Sequence, residues 1–557
     1  AQDPGEMLNK WSQRNPIEKI YVQFDRDAYI AGETAWFKVY LLSDYQPDTI
    51  SSSVYVELLK DSVQVISRQV LPVLLGASNG QFELPDSLVT GQYHVRAYTV
   101  TMLNQVNGNC DFFYHRSLTI NGKKAPAATA ALATKPSIYF FPEGGNMVKG
   151  LPATVAFRAT GANGFPVNAS GTVRNSKGEE IAKFSSYHDG LGMFEIPSVA
   201  DNNYYATVDG WSQEQIPLPA PVEKGIHISL INHPHGYLFE LQQKTGDPVF
   251  QASYMIGQMQ HHLVFRQQFA SGKENLQGVL DTRNLNSGIL QVTFFNAAHQ
   301  PLAERLVFVN NSEFKVEGTI KEDSIDFRGK ARNRITLALK DTIRGSFAVS
   351  IYDDAFASET TRSENIITSL LLTSDLPGLI HRPSWYFEAP VDSALAGMDL
   401  VMMTNGWRRF RWEELPAKLQ SNAGYNDGAF ITLSGKVNYQ GLKKPFADKD
   451  VLLFVNARDG KRSTQFIHTD KDGYFKLDSM VFFEKSRLLF SDVRGKKSQF
   501  IDVLLGPDSL RRRFSLPPVR FSTMSGQEKQ DNKKKKVYSD SKNDVEAIKK
   551  KSVFGWD

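Results

Sequence analysis

The sequence predicts a mostly β protein, a row of sandwiches with a small helical insertion late in the chain and a small sandwich near its C-terminus. Three observations carry this. Apolar residues alternate with polar ones from Ile20 to Phe24 and resume at Ala35, Phe37 and Val39, the period of a half-buried strand. Short strand-like runs recur along the chain between clusters of Gly, Asn, Ser and Pro. A chain of 557 residues is too long for one core, and with 41% apolar and 11% aromatic residues it can bury several.

The elements follow in order. After an N-terminal segment (1–15), a first unit spans 16–122. Its opening strands are joined by a turn from Asp25 to Glu33, in which Gly32 supplies a backbone conformation other residues avoid. Val54–Leu59 and Gly91–Tyr98 read as further strands of that unit. Residues 123–135, rich in Ala, Thr and Pro, read as a linker. A second unit, 136–222, opens with Tyr139-Phe140-Phe141-Pro142-Glu143-Gly144-Gly145, where Pro142 closes a strand and the glycines permit a reversal before the strand 153–160. A third, 223–311, has strands at 226–231, 251–256 and 288–295. The fourth, 312–429, begins with strands at 334–339 and 345–352 and then changes period. Residues 363–372 and 392–403 have helical spacing, with Leu395, Met398 and Met402 on one face and Asp392 as N-cap, and 408–419 predicts another helix. Residues 430–506 form a last sandwich. The 507–557 tail holds 13 Lys or Arg against 7 Asp or Glu, so it is expected to be basic and disordered.

Asp25-Arg26, Tyr29 and Gly32, followed by an apolar strand, resemble the opening of the second macroglobulin domain of the α2-macroglobulin family. The FFPEGG stretch and the strand after it resemble the next macroglobulin-type domain in exported Bacteroidetes-type envelope proteins. Leu433-Ser434-Gly435-Lys436-Val437 with Thr469-Asp470-Lys471-Asp472-Gly473-Tyr474-Phe475 is similar to the carboxypeptidase regulatory-like domain, a prealbumin-like sandwich without a peptidase site of its own. The resemblance implies tandem immunoglobulin- or macroglobulin-like sandwiches of the kind that precede the plug and barrel of TonB-dependent outer-membrane receptors.

The chemistry sought in the sequence is weak. Cys110, the single cysteine, excludes an internal disulfide and lies outside a thioester motif. Gly76-Ala77-Ser78-Asn79-Gly80 satisfies G-x-S-x-G but is followed by a strand ending in Pro85, not by the helix a nucleophile elbow needs. His233, His235, His261 and His262 lack a matching carboxylate offset, and Asp470–Gly473 lacks calcium-loop spacing. No catalytic residue, cofactor or metal is therefore expected. Outside the tail the chain holds 51 basic and 53 acidic residues, which gives no support to nucleic-acid binding.

The expected function is that of a non-enzymatic binding or scaffold protein of the cell envelope, accessory to a TonB-dependent or other outer-membrane barrel. A start at Ala1-Gln2-Asp3-Pro4 without Met and the absence of a long apolar run read as an exported chain without a transmembrane helix, in the periplasm or associated with the outer membrane. Six Asp-Ser/Thr-aliphatic tripeptides, at 48, 61, 86, 323, 341 and 508, match the O-glycosylation pattern of such bacteria. Trp407, Arg408, Arg409, Phe410, Arg411 and Trp412 are the candidate partner-contact residues, since aromatics and Arg enrich binding hot spots; the alternative is a buried helix packed on the fourth sandwich. A second functional reading is a thioester-free macroglobulin-like protease inhibitor with its bait at 125–134. A third is a free-standing polymer-binding or adhesion protein.

Overall fold

The architecture is that of a computed structural model, which describes residues 2–506 and Leu516 apart from 62, 106–109, 124–134, 163, 212–213, 245, 343–344, 353–363, 406–408, 420–424, 426, 428–429, 458–459, 461, 482–485 and 494–499. Residues 124–134 of the expected linker at 123–135, all of the expected 507–557 tail except Leu516, and Trp407 and Arg408 thus lie outside the described residues.

The first sandwich sets Glu18–Phe24, Thr34–Ser43, Gln46–Pro47 and Ala77–Glu83 against a five-stranded sheet ordered Ala28–Ile30, Tyr114–Asn121, Gly91–Thr99, Ser53–Lys60, Gln64–Pro72. Ile20, Val22, Phe24, Phe37, Val54, Val56 and Phe82 fill the space between them. The turn chemistry has a physical basis. Asp25 Oδ1 accepts from Tyr29 Oη at 2.6 Å and from Trp36 N at 3.0 Å, and Glu33 Oε2 accepts from Ile30 N at 2.8 Å. Gly32 sits at φ +93°, and a Cβ there would lie 2.3 Å from Asp86 Oδ1.

The second sandwich packs Ser137–Pro142, Ala153–Thr160 and Leu191–Ile196 against Glu180–Ser185, Ser170–Asn175, Tyr204–Val208 and Ile216–Pro217. The third packs Ile226–His233, Gly236–Gln243 and Asn275–Asp281 against His262–Gln268, Tyr254–Met259, Gly288–Phe295 and Pro301–Val309. The last has two three-stranded sheets, Tyr474–Met480, Ile431–Tyr439, Ile501–Leu505 and Arg462–His468, Asp450–Ala457, Ser486–Asp492. Each sandwich closes around its own apolar cluster, as period-2 strands with one inward face require.

Four features differ from the sequence expectation. The strand Glu18–Phe24, expected to be half-buried, is covered on both faces, because Leu370 and its neighbours pack over the side that carries Lys19 and Tyr21. Among the described residues of 312–429 there is a single two-stranded hairpin, Gly318–Ser324 with Arg334–Leu339, and no facing sheet. Residues 345–352, expected as a strand, have no ladder partner among the described residues; Ser350 Oγ instead donates to Phe24 O at 3.1 Å. The N-terminal segment contains a helix, α1 (Pro4–Arg14), capped by Asp3, whose Oδ1 accepts from Gly5 N at 2.9 Å.

The helical stretch is also rearranged. Residues 366–373 form one α-turn, Ile366–Thr368, running into a wider π-turn, Ser369–Thr373. The long helix α2 is Val391–Thr404, and its N-cap is Pro390, so Asp392 lies in the first turn, where its charge still favours the positive end of the helix. Met398 and Met402 face inward as expected, whereas Leu395 is 37% exposed. Among the described residues of 408–419 only Trp412–Glu414 and Leu415–Lys418 are helical, each about one turn long.

Candidate functional site: the ion-paired seams between sandwiches

The helical stretch is a wedge. Met398, Leu400, Val401, Met402 and Met403 of α2 meet Ala156 and Leu191 of the second sandwich and Leu306 and Phe308 of the third in one buried cluster. Charged groups line the same seam. Arg305, on the edge strand Pro301–Val309 of the third sandwich, donates from Nε to Glu143 Oε1 at 2.9 Å, from Nη2 to Asp399 Oδ1 of α2 at 2.6 Å, and from Nη1 to Leu306 O at 2.5 Å. Glu143 is the acid of the PEGG turn, and it also accepts from Leu230 N at 3.3 Å. One guanidinium thereby joins two sandwiches and the wedge. Burial pushes the Glu143 carboxyl up, and Arg305 offsets this only in part. Burial would weaken the Arg305 charge, but Asp399 and Glu143 hold its pKa above the usual arginine value.

A second contact ties the second sandwich to the residues before α2. His381 Nδ1 lies 2.9 Å from Asp189 Oδ2, and Arg382 Nη2 donates to Asp189 Oδ1 at 2.9 Å. His188 stacks on Trp385 with ring centroids 3.5 Å apart. Burial raises the Asp189 pKa, but the surrounding His188, His381 and Arg382 outweigh it and hold the carboxyl well below the usual range.

The third contact reaches the first sandwich. Lys19, 4% exposed, donates from Nζ to Leu370 O at 2.8 Å and pairs with Asp375. Arg409 shares that carboxylate at 3.5 Å, donates to Ser374 O at 2.9 Å, and lies over the Phe112 ring at 3.9 Å. Burial lowers the pKa of both Lys19 and Arg409, and Asp375 raises it in opposition.

The sequence-selected contact residues fall in and beside this framework. Phe410 and Trp412 are buried with Leu8 and Trp11 of α1, Tyr254, Ile256 and Phe295 of the third sandwich, and Leu415. Trp412 Nε1 donates to Glu304 Oε2 at 3.0 Å. Burial, the alternative weighed for these aromatics, describes their placement, although the surface they pack on belongs to the third sandwich and α1 and not to a fourth. Arg409 is engaged as above, and Arg411 is exposed. Sequence reasoning missed Lys19, Asp189, Arg305, Asp375 and Asp399. The Glu143 of the PEGG turn was the one available signal.

The other motifs are structural where described. Ser78 is 3% exposed near the start of the strand Ala77–Glu83, paired with Val39, and is followed by strand and not by a helix. Asp470 closes its hairpin, its Oδ1 accepting from Asp472 N and Tyr474 N at 2.9 and 2.8 Å. Cys110 is buried, which pushes its thiol up to about 11. Among the described residues no three His, Cys, Asp or Glu side chains converge to hold a metal ion, and no helix is long and apolar enough to cross a membrane.

No family model and no curated protein matches the chain. Among solved structures it is similar to Salmonella alpha-2-macroglobulin (10% identity, 91% of this chain and 38% of that one, TM-score 0.16). It is similar also to Escherichia coli alpha-2-macroglobulin activated by porcine elastase (8% identity, 85% and 43%, TM-score 0.21). A tetra-tandem repeat from the extending region of a large adhesion protein gives 11% identity, 88% and 98%, and a TM-score of 0.14. The chain spans about two fifths of the length of the two macroglobulins. The fold of tandem β-sandwiches rests on the sheets of this chain itself, and no activity is carried over from these proteins.

Proposed function

We propose that this chain is a non-enzymatic scaffold of the bacterial cell envelope, exported and accessory to a TonB-dependent or other outer-membrane barrel. The observation that carries the scaffold reading is Arg305. A buried guanidinium shared by Glu143 and Asp399 penalises any rotation of the second sandwich against the third, since rotation would leave charge unpaired in a dry seam. Lys19 with Asp375 extends the restraint to the first sandwich. We take the units as 16–122, 136–222, 223–311, 312–429 and 430–506. A rigid frame of this kind holds strand edges and loops at fixed spacing, which suits binding by strand addition. Export and O-glycosylation are supported by exposure: Thr49, Ser87, Ser324 and Thr342, the hydroxyl residues of four of the tripeptides, all lie at the surface.

The test is crosslinking in the native envelope before solubilisation, followed by affinity purification of the tagged chain and mass spectrometry. Stoichiometric recovery of an outer-membrane barrel is the expected result. Recovery of the chain alone, with crosslinking shown to be efficient on a known envelope complex, overturns the accessory reading.

A further inference from the structure

Three carboxyls gather at the joint between the first sandwich and the approach to the last. Glu18 opens the strand Glu18–Phe24, Asp48 stands in the turn after Gln46–Pro47, and Asp427 lies in the stretch before Ile431. Two consecutive residues bring the last two together. Asp48 Oδ2 accepts from Ser51 N at 3.0 Å, while Asp427 Oδ2 accepts from Ser52 N and, at 3.0 Å, from Ser52 Oγ. Thr99 Oγ1 donates to Glu18 Oε2 from the facing sheet. Glu18 and Asp48 are each 2% exposed, and Glu18 Oε1 and Asp48 Oδ1 are buried without a hydrogen-bond partner.

Buried anions need something to offset their charge. Among the described residues, the groups acting on the three are one another, the hydroxyls of Ser51, Ser52 and Thr99, and backbone amides, with no basic side chain among them. Lys19, the next residue after Glu18, pairs with Asp375 on the opposite face of the strand. The three carboxyls do not converge as metal ligands would. A proton fits the arrangement. Glu18 and Asp48 interact through their side chains closely enough to share one, the carboxyl donating and the carboxylate accepting. Burial, and then the Asp48 charge, keep Glu18 protonated up to about pH 8.

Ionisation of Glu18 sets three like charges in this joint, and Asp427 is the one able to yield. Glu18 and Asp48 are built into the first sandwich, whereas Asp427 is half-buried and recovers hydration by leaving. Its departure takes from Ser52 the contacts that fix this residue, whose Oγ accepts from Phe430 N at 2.7 Å.

We propose that Glu18, Asp48 and Asp427 form a proton-operated latch, closed while Glu18 is protonated and opened by its ionisation, which releases the approach to the last sandwich from Ser52. The latch is thus closed at neutral pH and opens under alkaline conditions.

The test is hydrogen exchange of the full chain at pH 6 and pH 9, expressed as protection after removal of the intrinsic base-catalysed rate. Peptides covering 48–53 and 425–431 are expected to lose protection by at least about tenfold between the two, as linkage to one proton allows. E18Q, which keeps a donor that cannot ionise, and D427N, which removes the charge that is repelled, are each expected to abolish that loss. D427N alters only the half-buried partner and so guards against a Glu18 variant that misfolds. Equal protection of the full chain at the two pH values overturns the proposal, as does an undiminished loss in both variants. A matching loss of protection across the core strand Ser53–Lys60 also overturns it, because ionisation would then unfold the sandwich and not open a latch.

Discussion

Replacing Arg305 with methionine removes a cation that three elements share and keeps most of its volume. In the intact protein the side chains of Arg305 and Glu143 are 3% and 4% exposed, and that of Asp399 is 24% exposed. The variant leaves Glu143 with Leu230 N at 3.3 Å and no cation, while Asp399 can recover part of its hydration. Breaking a buried pair in this way costs about 3–5 kcal/mol. Because several sandwiches do not unfold as one two-state unit, a global midpoint is the wrong observable. The cost should appear locally, as opening of α2, and at about 1.4 kcal/mol per tenfold it raises exchange of the Ala394–Thr404 amides by roughly two to three and a half orders of magnitude. Converting all three residues to apolar ones of similar volume should return most of the protection, since such replacements of whole buried networks are often neutral. Exchange in the single variant within about fivefold of the parent would refute the claim that this pair locks the seam.

Three further outcomes follow from other contacts. Burial, and then the nearby Asp48 charge, push the Glu18 carboxyl up to about 8 from 4.5, so its contribution to stability is full below pH 4.5 and declines as the pH rises to 8. Glu18→Gln should therefore gain on the parent across that window in thermal scans, and a constant difference between the two would count against the buried acid. Gly144→Ala sets a Cβ 2.9 Å from Ile228 Cγ1 at φ +78°, and should lower stability by about 1–3 kcal/mol in urea titration followed at the second and third sandwiches; an unchanged midpoint would show that the turn relaxes. Asp375→Asn removes the countercharge of buried Lys19 and Arg409 and should cost about 3 kcal/mol at that seam, read as faster proteolysis within 364–375, whereas unchanged cleavage would mean the pair does not hold the first sandwich.

The sandwiches were legible because each closes its core within one stretch of chain. Strands Ala153–Thr160, Gly288–Phe295 and Arg334–Leu339 are those read from alternation and turn residues. The same rule misplaced 345–352, since alternation reports extended backbone with two unlike faces and does not report a hydrogen-bonded neighbour. Helix α1 carried a readable signal, Asp3 as cap and Pro4 at the first position, that went unused. The seams had almost none. Arg305 stands 162 residues from Glu143 and 94 from Asp399, and in sequence it is only a basic residue between Glu304 and Leu306. Residues 407–412 are candidate partner contacts because aromatic and Arg residues enrich binding sites, with a buried helix as the alternative; the same residue types suit any desolvated contact, including the internal one Phe410 and Trp412 make.

The seams also indicate where the molecule can move. The first three sandwiches all bear on the helical wedge through buried charge, and a buried charge tolerates little displacement, because its pairing energy falls with separation while its desolvation cost stays. The last sandwich is attached differently. Its core cluster contains only residues from Ile431 onward. The approach to it is fixed to the first sandwich by short polar contacts: Asn104 Nδ2 donates to Tyr425 O at 2.7 Å, Ser52 Oγ donates to Asp427 Oδ2 at 3.0 Å, and Phe430 N donates to Ser52 Oγ at 2.7 Å. Hydrogen bonds of this kind exchange with water at a net cost of about 1 kcal/mol each. These contacts, each between neutral or singly charged groups, are individually easier to break than the buried shared ion pairs of Arg305 and Asp375.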